Sequence, residues 1–228
     1  MKICVLSDIH GNLSALKELH SSLAQFDQVI VCGDLVGYYY NATEVLDLLQ
    51  TFNPKIIKGN HEQMLLDVLD GKIEIEVITR KYGHGLSLAI EQMTSAQISY
   101  LRQLPEQIKI KIDGKNICIC HGSPLIPDEY VYPDSFLAHE QIAALDDDIF
   151  ILGHTHYPMS ISSRGKLIVN SGSVGQPRDR DSRASWGELD LETMQFTIHR
   201  VSYDQSDLLK QIEQYDPDLP FLREVLLR

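Results

Sequence analysis

Five apolar runs in this sequence each end in a glycine-containing turn that carries aspartate, histidine or asparagine. Ile3-Cys4-Val5-Leu6 leads into Asp8-Ile9-His10-Gly11, and Val29-Ile30-Val31-Cys32 into Gly33-Asp34. Ile56-Ile57-Lys58 leads into Gly59-Asn60-His61-Glu62, Ile117-Cys118-Ile119-Cys120 into His121-Gly122, and Ile149-Phe150-Ile151-Leu152 into Gly153-His154-Thr155-His156. Carboxylate, carboxamide and imidazole groups are ligands for divalent metals. Asp8 and His10 stand two apart, so in extended backbone their side chains point the same way and can share a cation. A lone histidine or Gly-Asp at a strand end is ordinarily just a turn. Together, though, the turns hold five of the nine histidines, while His20, His84, His139 and His199 fall elsewhere. That concentration points to one converging metal site.

Such residues converge only if the strands that end in them lie side by side, because open α/β sheets bind ligands at the carboxyl ends of their strands. Residues 2–6, 28–32 and 55–58 read as strands, separated by helices over 12–25 and 42–51, an order that argues for parallel pairing with crossover helices. Residues 62–104 read as mostly helical. Thr94 and Gln97 form a capping box there, and Pro105 closes the segment. Beyond it the pattern turns to hairpins: 107–112 with 116–120 around Asp113-Gly114, and 159–163 with 166–170 around Arg164-Gly165. Residues 148–152 read as a further strand, and 186–191 with 195–201 as an antiparallel pair. The tail, 205–228, reads as helical and broken around Pro217 and Pro220, its Leu208, Leu209 and Ile212 expected on the core rather than on a partner. The simplest architecture is α/β, two mixed sheets face to face with helices outside, in one domain spanning 1–228.

Composition narrows the function classes. The chain has 32 acidic and 20 basic residues, a formal charge of −12, and no polybasic segment, which argues against general nucleic-acid or membrane binding. No apolar stretch approaches the roughly 20 residues needed to cross a bilayer, and no signal-like segment follows Met1, so a cytoplasmic protein is expected. Cys4, Cys32, Cys118 and Cys120 lie within apolar runs, with no C-x-x-C spacing, and read as core.

The series Asp8-x-His10, Gly33-Asp34, Gly59-Asn60-His61-Glu62, His121 and Gly153-His154-x-His156 resembles the complete signature of calcineurin-like metallophosphoesterases, in order and in residue type. The resemblance implies a four-layer α/β/β/α sandwich and a dinuclear centre. Asp8, His10 and His156 would hold one metal, Asn60, His121 and His154 the other, and Asp34 would bridge them. His61 would be no ligand but the residue beside the leaving group, with Glu62 orienting it or, more simply, capping the next helix. The cofactors implied are two divalent cations, manganese first, with iron, zinc, nickel, cobalt or magnesium as alternatives. Two metals roughly 3.5–4 Å apart clamp attacking and leaving oxygens in an in-line displacement by a bridging hydroxide. Two dications, less the charges of two aspartates and one hydroxide, leave the cleft net positive within an acidic chain.

The implied substrate is a small phosphate ester or nucleotide. After Gly33-Asp34 the chain runs Leu35-Val36-Gly37-Tyr38, without the Asp-Arg-Gly of Ser/Thr phosphatases and diadenosine polyphosphatases, so it looks more like the compact prokaryotic phosphodiesterases. Residues 170–179 resemble a loop of that branch whose serines and backbone N–H groups could face the metals or substrate. Arg178 could fork onto a phosphate, or belong with Arg180 and Arg183 to a salt-bridge network with Asp179 and Asp181. Tyr38, with Tyr39 and Tyr40, could wall a pocket and stack on a base, or pack under the second helix. The 62–104 segment could shade the cleft as a lid, with His84 reaching substrate or simply exposed. A non-catalytic scaffold of the same fold, as in a retromer subunit, a protein phosphatase-like activity or a nuclease are the alternatives; a homo-oligomer stays open.

Overall fold

The computed structural model describes residues 1–228. The apolar runs and their crossovers form β1 (Lys2–Leu6), α1 (Leu13–Leu23), β2 (Gln28–Val31), α2 (Ala42–Gln50) and β3 (Lys55–Ile56). Four helices follow, α3 (Asn60–Leu69), α4 (Ile75–Tyr82), α5 (Gly85–Gln92) and α6 (Ser95–Gln103). The second half holds β4 (Gln107–Ile112), β5 (Lys115–Cys120), α7 (Phe136–Ile142), β6 (Ile149–Leu152), β7 (Pro158–Ser163), β8 (Lys166–Ser171), β9 (Ala184–Asp190) and β10 (Gln195–Val201), then α8 (Ser206–Tyr215) and α9 (Pro220–Glu224).

Two five-stranded mixed sheets result, ordered β10-β9-β1-β2-β3 and β4-β5-β6-β8-β7. In the first, β1, β2 and β3 are parallel; in the second, β5, β6 and β8 are. The remaining strands join antiparallel at the edges. The β4–β5 and β7–β8 turns have both central residues at positive φ (Asp113 46° and Gly114 79°; Arg164 49° and Gly165 76°), the twist that matches paired strands. The edge strand β3 is two residues long rather than the four expected. Beyond it Lys58 N donates to Pro105 O (2.7 Å), turning the chain out of the ladder toward Asn60.

Alternation along the strands divides the core. Ile3, Val5 and Ile30 meet Ile117, Ile119, Ile149, Ile151 and Val169 between the sheets, all fully buried. Cys4 and Leu6 face the opposite way, toward helices. Strands covered on both faces read as unbroken apolar runs, which is why β1, β2, β5 and β6 were legible. The four cysteines are free and buried in three separate clusters, as packing residues would be.

The outer helical layers are unequal. On the first sheet, α1 and α2 share one apolar cluster with Leu65, Leu66, Ile78, Leu86 and Leu101 of α3 to α6; on the second, α7 contributes Ile142 against Phe150 and Ile168. The expected lid over 62–104 is therefore largely this outer layer, its apolar stripes spent on the sheet, although Tyr82 reaches the His61 ring (centroids 5.1 Å apart). Thr94 and Gln97 do form the capping box of α6. No helix is long and apolar enough to cross a membrane.

The tail closes on the tyrosines that follow Asp34. Leu208 and Ile212 of α8 and Leu222 of α9 cluster with Tyr38, Tyr39 and Tyr40, and Pro220 opens α9 where its missing N–H costs nothing. Leu222 is fully buried. Leu222→Ala should therefore cost about 2–5 kcal/mol of unfolding free energy, read as a lowered urea midpoint; an unchanged midpoint would mean that the tail does not dock.

Candidate metal centre

The turns after the parallel strands of both sheets meet at one edge of the sandwich. Asp8 and His10 follow β1, Asp34 follows β2, Asn60 and His61 open α3, His121 follows β5, and His154 and His156 follow β6. Asp8, His10, Asp34, His154 and His156 all take positive φ, from 51° to 67°. Non-glycine residues hold that conformation only where the surroundings over-determine it. Here Asp8 N donates to Gly33 O (3.1 Å) and His10 N to Asp34 O (2.9 Å), lacing the first two turns together.

Three rings are oriented by main-chain carbonyls. Nδ1 of His10 faces Val36 O at 3.1 Å, that of His121 Cys32 O at 2.6 Å, and that of His156 Gln176 O at 2.6 Å. A carbonyl only accepts, so each Nδ1 carries a hydrogen, and in the neutral ring Nε2 keeps the lone pair that a metal takes. These lone pairs point at one another and at carboxylates. Nε2 of His10 and His156 are 3.1 Å apart, with Asp8 Oδ1 at 3.9 and 3.3 Å. His121 Nε2 lies 3.2 Å from His154 Nδ1, 3.0 Å from Asn60 Oδ1 and 3.2 Å from Asp34 Oδ2. Asp34 Oδ2 is also 3.7 Å from His10 Nε2, so it stands between the two sets. With neutral rings these are all acceptors, which cannot bond to one another; positive charge among them, a cation or at His121 a second proton, satisfies them.

Asp8 gives the same answer. Its Oδ2 accepts from Ser7 Oγ (2.5 Å) and His154 N (3.1 Å), whereas its buried Oδ1 has no hydrogen-bond donor. The trios Asp8–His10–His156, Asp34–His121–His154 and His10–Asp34–His61 each bring one donor atom per residue within 4.8 Å of the others. The donors thus fit divalent ions, and the third trio gives His61 a reach toward a cation that the sequence reading had not assigned it.

The electrostatics agree. Burial opposes charge on Asp8 and Asp34, yet the surrounding imidazoles hold both carboxyls below their usual range. Burial pushes His10 well down and His61 to about 4, leaving both rings neutral near pH 7. At His121 burial opposes a proton, but Asp34 and Asp8 lift it to about 10. The carboxylates draw positive charge to that spot.

Residues 1–194 match the sequence profile of the calcineurin-like phosphoesterase superfamily domain. The chain belongs to that superfamily. It is 30% identical over 221 residues to MJ0912 of Methanocaldococcus jannaschii, covering 89% of this chain and 88% of that one. The crystal structure of a metallophosphoesterase from Sphaerobacter thermophilus superposes with a TM-score of 0.77 at 29% identity, over 94% of both chains. PH1004 of Pyrococcus horikoshii shares the fold with a TM-score of 0.84 at 24% identity, over 99% of this chain and 96% of that one. The clustered His and Asp groups are those that could bind metal in this metal-dependent superfamily.

Several residues that support the phosphoesterase site were not readable in advance. Glu62 caps α3 through Gly59 N (2.8 Å), as its N3 position suggested, and its two oxygens also accept from Asp34 N (2.8 Å), Leu35 N (2.7 Å) and Val36 N (3.1 Å). It ties the Asp34 turn to the helix bearing Asn60 and His61. Burial and the Asp34 charge push its carboxyl up to about 7 against the pull of these N–H groups. Ser173 Oγ donates to Asp8 O (2.6 Å), and Asn170 Nδ2 to Gly153 O (2.6 Å). Those two residues of the 170–179 loop thus brace the metal turns rather than face the metals. Gly37, at φ 91°, lets His61 lie flush on the backbone, since a Cβ there would overlap the His61 ring. Tyr130 lies over His154, centroids 4.1 Å apart.

The two substrate candidates meet. Arg178 Nη2 donates to Tyr38 Oη (2.9 Å), and the Tyr38 ring lies 4.8 Å from His61 and 4.6 Å from His10. Tyr39 and Tyr40 turn away; their hydroxyls donate to Leu222 O and Asp216 in the tail. Arg183 pairs with Asp181, leaving the arginine run divided. His84 bonds Asp216 Oδ1 through Nδ1 (2.7 Å), half-exposed and anchored to the tail, so it is not a substrate group.

Glu62→Gln keeps the shape but turns an amide NH2 toward two of the four N–H donors. It should cost about 1–3 kcal/mol and lower bound metal per chain, by urea unfolding and elemental analysis, although it removes no ligand. Normal metal content and stability would show that the clamp is dispensable.

Proposed function

We propose that the chain is a dinuclear, metal-dependent phosphodiesterase acting on a small ester or nucleotide. Asp8, His10 and His156 would hold one cation, Asn60, His121 and His154 the second, and Asp34 Oδ2 would be shared. The observation that carries this reading is the pair of donor sets, with lone pairs facing lone pairs and one carboxylate oxygen between them. Such cations supply Lewis acidity toward the phosphoryl group and ionise water near neutral pH. Mixed imidazole and carboxylate donors suit manganese, iron, zinc, nickel or cobalt.

The protein groups do the rest. Asp34 Oδ1 accepts from His61 N (2.8 Å), so the shared carboxylate also sets the position of His61. The His61 ring packs against His10, Tyr38 and Tyr82, and its buried Nδ1 has no protein partner. A neutral ring still donates one N–H, and negative charge gathering on a leaving oxygen raises its proton affinity, which suits it to stabilise or protonate that oxygen. Arg178, held by Tyr38 and Gln176, keeps donors free to bind a phosphate oxygen of the substrate.

Cleft shape favours a diester over a monoester. A cavity of about 630 Å³ opens beside Asn60 and His121, and another of about 370 Å³ beside Tyr38 and Arg178. A diester carries a substituent on each side of phosphorus; a monoester would use one. No donor that a non-catalytic scaffold would be free to lose is missing.

The test is a metal-by-substrate panel on chelator-stripped, reloaded protein. Bis-p-nitrophenyl phosphate should be hydrolysed faster than p-nitrophenyl phosphate, and silence on both with every metal would defeat the reading. His61→Ala should lower turnover about 10²–10⁴-fold with metal content unchanged. Asp34→Asn should instead lose metal, and normal occupancy of both sites in that variant would defeat the bridging assignment.

A further inference from the structure

The nine arginines are not used alike. Five close on carboxylates: Arg102 on Asp70, Arg164 on Glu140, Arg183 on Asp181, Arg200 on Asp179 and Arg223 on Glu213. Of the four that do not, Arg178, Arg180 and Arg228 line one cavity of about 550 Å³ with Tyr157. The carboxylates nearest in sequence, Asp179 and Asp181, are already taken by Arg200 and Arg183. In a chain of charge −12, three guanidiniums line one cavity with no side-chain carboxylate paired to any of them, and such like charges repel one another. Arg180 moreover stands at φ 69°, a strained conformation for a non-glycine residue.

This cavity continues into the catalytic cleft. Tyr157, Arg178 and Arg228 also line the 370 Å³ cavity, whose other walls include Tyr38, Tyr132 and Phe221. Tyr38 in turn packs on His10 and His61. From the metal turns outward the order is donor sets, aromatic walls, free guanidiniums. The middle space is in the range of small-ligand pockets, and aromatic side chains stack on bases whatever their identity. Guanidinium groups bind phosphate oxygens in forked pairs, and Arg178 keeps donors to spare beyond its bonds to Tyr38 and Gln176.

We propose that Arg178, Arg180 and Arg228 form a subsite for a second phosphate of the substrate, one nucleoside away from the scissile ester. This rests on the phosphodiesterase reading of the neighbouring centre. It makes the substrate class the terminally phosphorylated end of a short oligonucleotide.

The test compares the dinucleotide TpT with pTpT and TpTp on metal-loaded protein. One of the phosphorylated forms should have a KM lower by about tenfold, equivalent to about 1.4 kcal/mol. Arg180→Ala and Arg228→Ala should each shrink that advantage, and the double variant should abolish it. Arg80→Ala, which removes the fourth unpaired arginine, should leave it intact. Calorimetry reads the subsite without turnover: thymidine 3′,5′-bisphosphate should bind more tightly than thymidine 5′-monophosphate to the wild type and equally to the double variant. Hydrolysis of all three dinucleotides at equal KM, an advantage that survives the double variant, or one lost equally in Arg80→Ala overturns the proposal. If none is hydrolysed, the hydrolytic reading fails, and the calorimetric difference alone decides the subsite: its presence and loss in the double variant support it, equal binding in the wild type overturns it.

Discussion

Everything at the sheet edge depends on keeping acceptors crowded together without letting them neutralise one another. Asp34 Oδ2 lies within 3.7 Å of His10 Nε2 and 3.2 Å of His121 Nε2, and Asp8 Oδ1 lies buried with no donor. Bringing these groups together out of water is unfavourable unless positive charge joins them. The fold sustains the arrangement by committing the other side of each group elsewhere. Main-chain carbonyls take the Nδ1 hydrogens of three histidines, and Ser7 with His154 N takes the second oxygen of Asp8. What remains uncommitted faces inward.

That commitment explains why the turns tolerate strain. Five non-glycine residues in left-handed conformation would relax if each stood alone. They are held because each turn is bonded to a neighbour: the β1 turn to the β2 turn through Gly33 O and Asp34 O, the β6 turn to β8 through Asn170, and the Asp34 turn to α3 through Glu62. Glu62 is central because one buried carboxylate fixes three donors of the β2 turn and the first turn of α3 together. Asp34, Asn60 and His61 therefore move as one body, and a small shift in any of them would spread to the others.

The sequence revealed most of what short-range pattern can reveal. Apolar runs covered on both faces, Asp-Gly and Arg-Gly hairpin turns, and the Thr94–Gln97 box all stand in consecutive residues, and all appear where expected. The donor residues were legible for a related reason: each sits at a strand end, where the fold class already says ligands gather. What stayed hidden is non-local. No spacing says that Glu62 reaches back to residues 34–36, that Gly37 must leave room for His61, or that the tail would take the hydroxyls of Tyr39 and Tyr40 but not that of Tyr38. What the helices over 62–104 cover was hidden in the same way. Amphipathic helices look alike whether their stripes cover a sheet or close a cleft, and only the tertiary pairing decides.

Charge distribution is the last step. An acidic exterior and a cleft edged by unpaired guanidiniums look contradictory only if net charge is taken as a property of every surface. Over distances beyond the Debye length of about 8 Å at physiological salt, each region acts on its own. Five arginines spend their charge on carboxylates, and three of the four that do not, Arg178, Arg180 and Arg228, meet at one cavity. A long polyanion would also meet the rest of a chain whose net charge is −12 and would be repelled by it. A short one, reaching only from the donor sets to the arginines, would meet favourable potential throughout. The same charge pattern that argues against general nucleic-acid binding is therefore compatible with the small, multiply phosphorylated ligand proposed above.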